Sequence, residues 1–360
     1  MAIDFTPERW QRLKANSRRW WAGQLERPLI NIYSGSRQPD RPASALPGLD
    51  RRSLYDRSIS PEAVVDRWDY ELAHVEFLGD AFPCVWPDLG PGCIAAFMAN
   101  GVAEPQADTV WFHPRHDLPI ADLHFEFDPG NACFQHLLAV CQVAMDRWQG
   151  RVQVAMTDLG GNLDILSAFR PGEKLLLDLY DSPAEVQRLA WEAHHAWWQY
   201  YEAINAVLQP RNPGYTAWTQ IFSDVPYYIL QCDFCYMIGP KMFDEFVQPE
   251  LAASCRRLGN AFYHLDGPGQ LAHLDSLLSI PELKGVQWVP GTGRPEQAEW
   301  PEVLRRIRRS GKLLQIWGEL STLEKVDELL GSAAGVIFLT WAQPGEKPAV
   351  ERLLRKYGAE

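Results

Sequence analysis

The chain has 360 residues, with 46 acidic against 34 basic side chains and a formal charge of -12, a balance that repels phosphate backbones and excludes nucleic acid as an expected partner. No apolar run approaches the roughly 20 residues that a membrane-crossing helix needs, and the seven cysteines are odd in number and irregularly spaced, which reads as free thiols in a cytoplasmic protein and not as a disulfide framework. At this length a single core buries about three quarters of the unfolded surface, so one domain over 1–360 with no structural metal is expected.

In chain order, short apolar runs alternate with amphipathic segments, the pattern of a mostly parallel sheet. The first strand is predicted over 29–33, followed by an irregular stretch, 34–57, rich in Pro, Ser and Arg. A helix over 61–77 and a strand over 81–86 come next, then a second irregular stretch, 90–131, which carries Trp111, His113, His116 and His124. After a strand over 152–157 and a long helix over 183–208, the segment 215–227 alternates aromatic residues around Ser223-Asp224-Val225-Pro226 and is expected to be a hairpin lying over the site. Strands over 228–233, 261–266, 285–289, 313–317 and 336–341 then alternate with helices over 240–258, 269–278, 300–310, 323–330 and 348–357. Eight strands with helices between them suggest a closed (β/α)8 barrel, and long insertions at strand ends are the usual place for lids and binding loops.

Tyr263-His264-Leu265-Asp266-Gly267-Pro268-Gly269 says most about chemistry. Positions two apart on a strand face one side, so His264 and Asp266 point together where the strand stops. A metal, a proton relay or a polar substrate would suit that pair, and so would mutual satisfaction with a cap on the next helix. Gln287 and Trp288 sit beside a strand end, and Trp218, Trp317 and Trp341 are candidates for an aromatic pocket for a flat or methylated ligand, with cation-π contact if that ligand is a quaternary amine. The pair Cys232 and Cys235 reads as buried packing, His194-His195 as part of an aromatic helix face, and the basic run 305–309 as a solvated face.

The run from Asp233 to Pro249, Asp-Phe-Cys-Tyr-Met-Ile-Gly-Pro-Lys-Met-Phe-Asp-Glu-Phe-Val-Gln-Pro, resembles the segment of the uroporphyrinogen decarboxylase superfamily in which a strand-end Asp precedes a Phe-x-x-Phe helix. Further blocks follow in that family's order: Trp86-Pro87-Asp88, Asp158-Leu159-Gly160-Gly161, His264-x-Asp266-Gly267, Gln287-Trp288 and Gln315-Ile316-Trp317-Gly318-Glu319. The resemblance implies a TIM barrel of the uroporphyrinogen decarboxylase type, with its site at the carboxyl ends of the strands. The family's decarboxylases hold a tetrapyrrole with an arginine-rich loop after the first strand and an Asp in the cavity. Here Arg37 stands alone in that loop, Asp88 falls near the cavity position, and Trp341-Ala342-Gln343 replaces the family's late histidine.

The family's methyltransferases, of the corrinoid and coenzyme M type, bind zinc through His-x-Cys and a later Cys. In this chain His264 is in place, Asp266 stands at the first cysteine position, and no cysteine follows Cys255. A harder divalent site is therefore implied, with His264 and Asp266 as metal ligands and Asp233 or Glu319 as further oxygen donors, taking zinc, manganese or iron. With no corrinoid domain in this chain, a corrinoid would ride on a separate partner protein. The expected function is methyl transfer on a small methylated or carboxylated substrate, to or from a partner corrinoid protein or a thiol, in a homodimer. His264, Asp266, Asp233 and Asp88 are the expected catalytic groups, with Gln287, Trp288, Trp218, Trp317, Glu319 and Trp341 around the substrate. The alternatives are a metal-independent decarboxylase and a ligand-binding protein on the same scaffold.

Overall fold

Two helix starts in this chain are set by a hydroxyl placed just before a proline. Thr6 accepts the Arg9 N–H ahead of helix Pro7–Trp21, and Ser60 accepts that of Ala63 ahead of helix Pro61–Ala73, so an orphan amide is satisfied where proline already presets the turn. The computed structural model describes residues 3–38 and 41–360; residues 39 and 40 of the insertion expected over 34–57 lie outside the described residues.

The strands are β1 (Leu29–Ser34), β2 (Glu76–Gly79), β3 (Cys84–Val85), β4 (Gly101–Pro105), β5 (Val110–Pro114), β6 (Gln153–Val154), β7 (Tyr227–Leu230), β8 (Asn260–Asp266), β9 (Leu283–Val289), β10 (Leu313–Trp317) and β11 (Val336–Trp341). The central sheet runs β2-β1-β11-β10-β9-β8-β7, and every pairing in it is parallel except β2 on β1. β3 and β6 form a separate parallel pair, and β4 and β5 an antiparallel hairpin within the second expected insertion. Among the described residues no ladder joins the β3–β6 pair to β7 or to β1, so the pairing runs unbroken from β1 through β11 to β7 but does not close into a ring.

All the strands expected from the sequence are present, but those over 81–86 and 152–157 keep only two residues each. Pro83 and Pro87 bracket the first and have no N–H for a ladder. Beyond the second, Met156 donates to the carbonyl of Thr216, so its amide goes to the 214–223 segment. The helix expected over 61–77 stops at Ala73, where the chain reverses into β2. The one over 240–258 is split into Pro240–Phe246 and Gln248–Arg257, because Pro249 cannot donate back into the preceding turn. The segment 215–227 differs more. Tyr215 bridges Ser223 antiparallel, but the tip turns inward, where the carbonyl of Gln220 accepts from Asn31 Nδ2 at 2.8 Å and Thr219 accepts from Gln315 at 2.5 Å. It plugs the inner face of the sheet and does not lie across it.

The inner face of β8 is layered. Phe262 sits low, between Trp20 and Trp21 of the first helix at ring distances of 6.1 and 5.5 Å, while Trp20 donates to the carbonyl of Val336 at the start of β11. His264 and Asp266 follow above it on the same face, so the apolar floor ends where the polar site begins. All seven cysteines are free, and no described helix is long and apolar enough to cross a membrane.

Phe262 needs the missing side chain of Gly285 on the neighbouring strand, where a Cβ would stand 2.1 Å from its ring. Gly285→Ala should therefore cost about 1–3 kcal/mol in urea unfolding, with part of the loss recovered when Phe262→Leu is added. An unchanged midpoint would show that the ring is free to move.

Candidate functional site

Parallel register places the first groups. His264 is the partner of Gln287 across β8 and β9, and Gln287 is the partner of Gln315 across β9 and β10, so three side chains stand abreast on the inner face about one strand spacing apart. The ring nitrogen Nδ1 of His264 meets Gln287 Oε1. Trp218, carried on the inward plug, sets its ring edge-on to His264 at 5.0 Å, and its buried Nε1 has no hydrogen-bond partner.

The carboxylates arrive from different strand ends. Asp266 closes β8, and Gly267, at φ 77°, turns the chain away while donating its N–H to Val289. Asp233 opens the turn after β7, where Gln270 Nε2 donates to it at 3.3 Å, and Tyr263 in turn donates to Gln270. Asp164, in the first turn of helix Asn162–Phe169, accepts the backbone N–H groups of Asp233 and Phe234 at 2.8 and 2.7 Å, clamping that turn. Asp158, buried beyond the end of β6, accepts the N–H of Gly160 at 2.9 Å. One donor atom each from Asp233, His264 and Asp266 lies within 4.8 Å of the others.

Burial, with like charges close by, shifts the protonation of these acids. Burial, reinforced by the charge of Asp233, pushes the Asp164 carboxyl up to about 8 against the pull of its two backbone donors. Burial likewise raises Asp158 to about 6, opposed by the Gly160 N–H and by His264. Asp233 is raised by burial and by Asp266, with His264 opposing. Its side chain opens to solvent at the rim, while protein surrounds it on the other sides and Asp164 and Asp266 stand close. Burial and like charge together favour a retained proton or a bound cation within the cluster.

Of the residues singled out from the sequence, the structure gathers Asp233, His264, Asp266, Gln287 and Trp218. Asp88 sits apart, paired with Arg51 at 2.9 Å and accepting the Gly90 N–H at 3.1 Å, in a cleft of about 480 Å³ that it shares with Trp86 and Trp341. Trp341 stacks on Tyr33 and stays exposed. Glu319 is exposed beside Trp341 in a further cleft that begins where β10 and β11 end. Trp317 is half-buried, its amide held by Gln297. Trp288 alternates with Gln287, so it faces the helices, fully buried against Trp300. His194 is bonded to Glu250 at 2.6 Å inside the core, and His113 is paired with Glu104 on the β4–β5 hairpin.

Asp158, Asp164, Gln270, Gln315 and Thr219 were not among the residues expected at the site. An acid directly after a strand and before Gly160-Gly161 was a usable signal for Asp158. Asp164 had none, since an acid in the first turn of a helix is ordinary. A cleft of about 1350 Å³ lies elsewhere, against the first helix and the turn before β6, and holds none of these groups. Chemistry, not size, marks the site.

No protein-family model matches the chain, and no curated protein matches it in sequence. Among solved structures, a methyltransferase from Methanosarcina mazei is similar in fold, with a TM-score of 0.60 over 96% of this chain and 99% of that one, at 11% identity.

A carboxyl with a raised folded pKa binds more protons in the native state than in the unfolded one, so its contribution falls as pH rises between the two values. Metal-free protein should therefore lose stability from about pH 4 to pH 8 through Asp164, with a slope of up to about 1.4 kcal/mol per pH unit. Urea unfolding across that range, with chelator present, should give a shallower slope for Asp164→Asn. Equal slopes would remove the assignment.

Proposed function

We propose that this chain is an enzyme of methyl transfer, built as one (β/α)8 barrel domain, in which Asp233, His264 and Asp266 hold a divalent cation at the carboxyl ends of the strands. Closure of the ring is supported by the pairing of β11 with β1 and by the chain order of the parallel strands; methyl transfer is supported by the fold it shares with a protein named as a methyltransferase. The observation that carries the cation is the convergence of three donor atoms within 4.8 Å, beside two further acids whose carboxyls burial pushes up. The donors fit a cation that accepts oxygen ligands, such as manganese, iron or zinc, and not a thiolate-rich zinc site, because no cysteine joins the group among the described residues.

Bound there, a divalent cation would act as a Lewis acid toward a thiol or oxygen of the substrate. The chain's own groups do the rest. Gln270 and Asp164 fix the turn that carries Asp233, so a donor placed on a flexible loop is held in position. Trp218 sets its ring edge-on against the imidazole, and its buried indole N–H has no partner among the described residues. Burial and the nearby charge of Asp233 raise the Asp164 carboxyl toward its protonated form, which lowers the negative charge beside the site. The methyl acceptor or donor on the other side is a thiol or a corrinoid carried by a separate protein. The protonated Asp164 also favours a second reading, metal-independent decarboxylation, in which that carboxyl delivers a proton to the carbanion left by carbon dioxide.

Equilibrium dialysis of the purified protein against manganese or zinc should give one site per chain, lost in His264→Ala and Asp266→Ala. Methyl transfer from a labelled methylated substrate to a thiol or corrinoid acceptor should fall by about a hundredfold or more in His264→Ala. Stoichiometric metal binding that survives both substitutions would contradict the assignment of ligands. Release of carbon dioxide with chelator present would select the second reading.

A further inference from the structure

We infer that Thr219, Gln315 and Gln287 form a positioning row that fixes the tautomer of His264, holding the proton on Nδ1 and leaving the Nε2 lone pair for the acidic cluster. The inference deepens the reading above and rests on it for the importance of His264. The row is continuous: His264 Nδ1 meets Gln287 Oε1, Gln287 Nε2 donates to Gln315 Oε1 at 2.8 Å, and Gln315 Nε2 donates to Thr219 Oγ1 at 2.5 Å. Gln287 Nε2 also reaches Thr219 Oγ1, at 3.4 Å. All three supporting residues are buried, with exposures of 2%, 1% and 6% for Gln287, Gln315 and Thr219, so bulk water does not complete their bonding.

The sense of the row follows from a count of protons. Two amide nitrogens converge on one hydroxyl oxygen, whose two lone pairs can accept both. With both amides reversed, Gln315 would still donate to Gln287, but two carbonyl oxygens would face a hydroxyl with a single proton, so only one of the two contacts on Thr219 would be made. The hydroxyl therefore sets Gln315, Gln315 sets Gln287, and Gln287 presents an acceptor to the ring. An acceptor facing Nδ1 demands a proton there, and a neutral imidazole then has its lone pair on Nε2. Parallel register supplies the spacing, since the imidazole and both amides stand on one line across β8, β9 and β10. The plug supplies the end of the line, because Thr219 follows Trp218, whose ring abuts the same imidazole. Outer groups of this kind orient a ligand without touching what it binds.

The test reads the ring directly. In metal-free protein labelled with nitrogen-15 histidine, at a pH where the ring is neutral, long-range proton–nitrogen correlation distinguishes the tautomers, with His264 assigned by the loss of its signals in His264→Gln. Wild type should show the proton on Nδ1. Thr219→Val, two residues removed from the ring along the row, should lower the ratio of Nδ1–H to Nε2–H by about two- to tenfold; Gln287→Met should lower it as well, and Thr219→Ser should restore it. A wild-type ring protonated on Nε2 would overturn the inference, as would a ratio unmoved by both Thr219→Val and Gln287→Met. No turnover is read, so an inactive methyl-transfer assay leaves a positive result standing, and an unmoved tautomer leaves the assignment of the site standing.

Discussion

Acidic side chains repel one another, and a stable fold has no reason to bury several of them around one imidazole. Here Asp233 and Asp266 converge on His264, with Asp158 close by and Asp164 behind Asp233, from the ends of different elements. The free energy lost to that crowding is offset by contacts elsewhere in the core, which is the usual situation of a working site. A cation or retained protons must supply the missing positive charge, and each of the other features of the site bears on where that charge is held.

The sheet makes the crowding possible by dividing the work between its levels. Below, Phe262 fills the space left by Gly285 and rests on Trp20 and Trp21, so the lower part of the inner face is dry and rigid. Above, successive inward positions on β8 carry His264 and Asp266. The acids that complete the site come from turns that are themselves tied down: Asp233 by Gln270, and its turn by Asp164. Rigid support beneath and clamped turns above are what allow like charges to remain close.

Much of this was legible before any coordinates. Apolar runs with proline at helix starts place the parallel strands in order, and the two-residue spacing of His264 and Asp266 gives their common face. The rest depends on partners far apart in the chain. Asp164 looks like an ordinary helix-start acid until the turn of Asp233 donates to it. Trp288 looks like a rim residue beside Gln287, yet strand alternation sends one inward and the other against Trp300. Asp88 has an arginine of its own, Arg51, which no local pattern pairs with it. The inward course of the plug at Thr219 rests on hydrogen bonds to residues on β1 and β10, which local periodicity cannot encode.

The most direct test is anomalous diffraction at the manganese edge from crystals grown with that ion near pH 8. A single strong peak about 2.2 Å from oxygens of Asp233 and Asp266 and from Nε2 of His264 is the predicted result. Carboxylates in the same arrangement with no peak between them, or a peak lodged at another group of acids, would contradict the account.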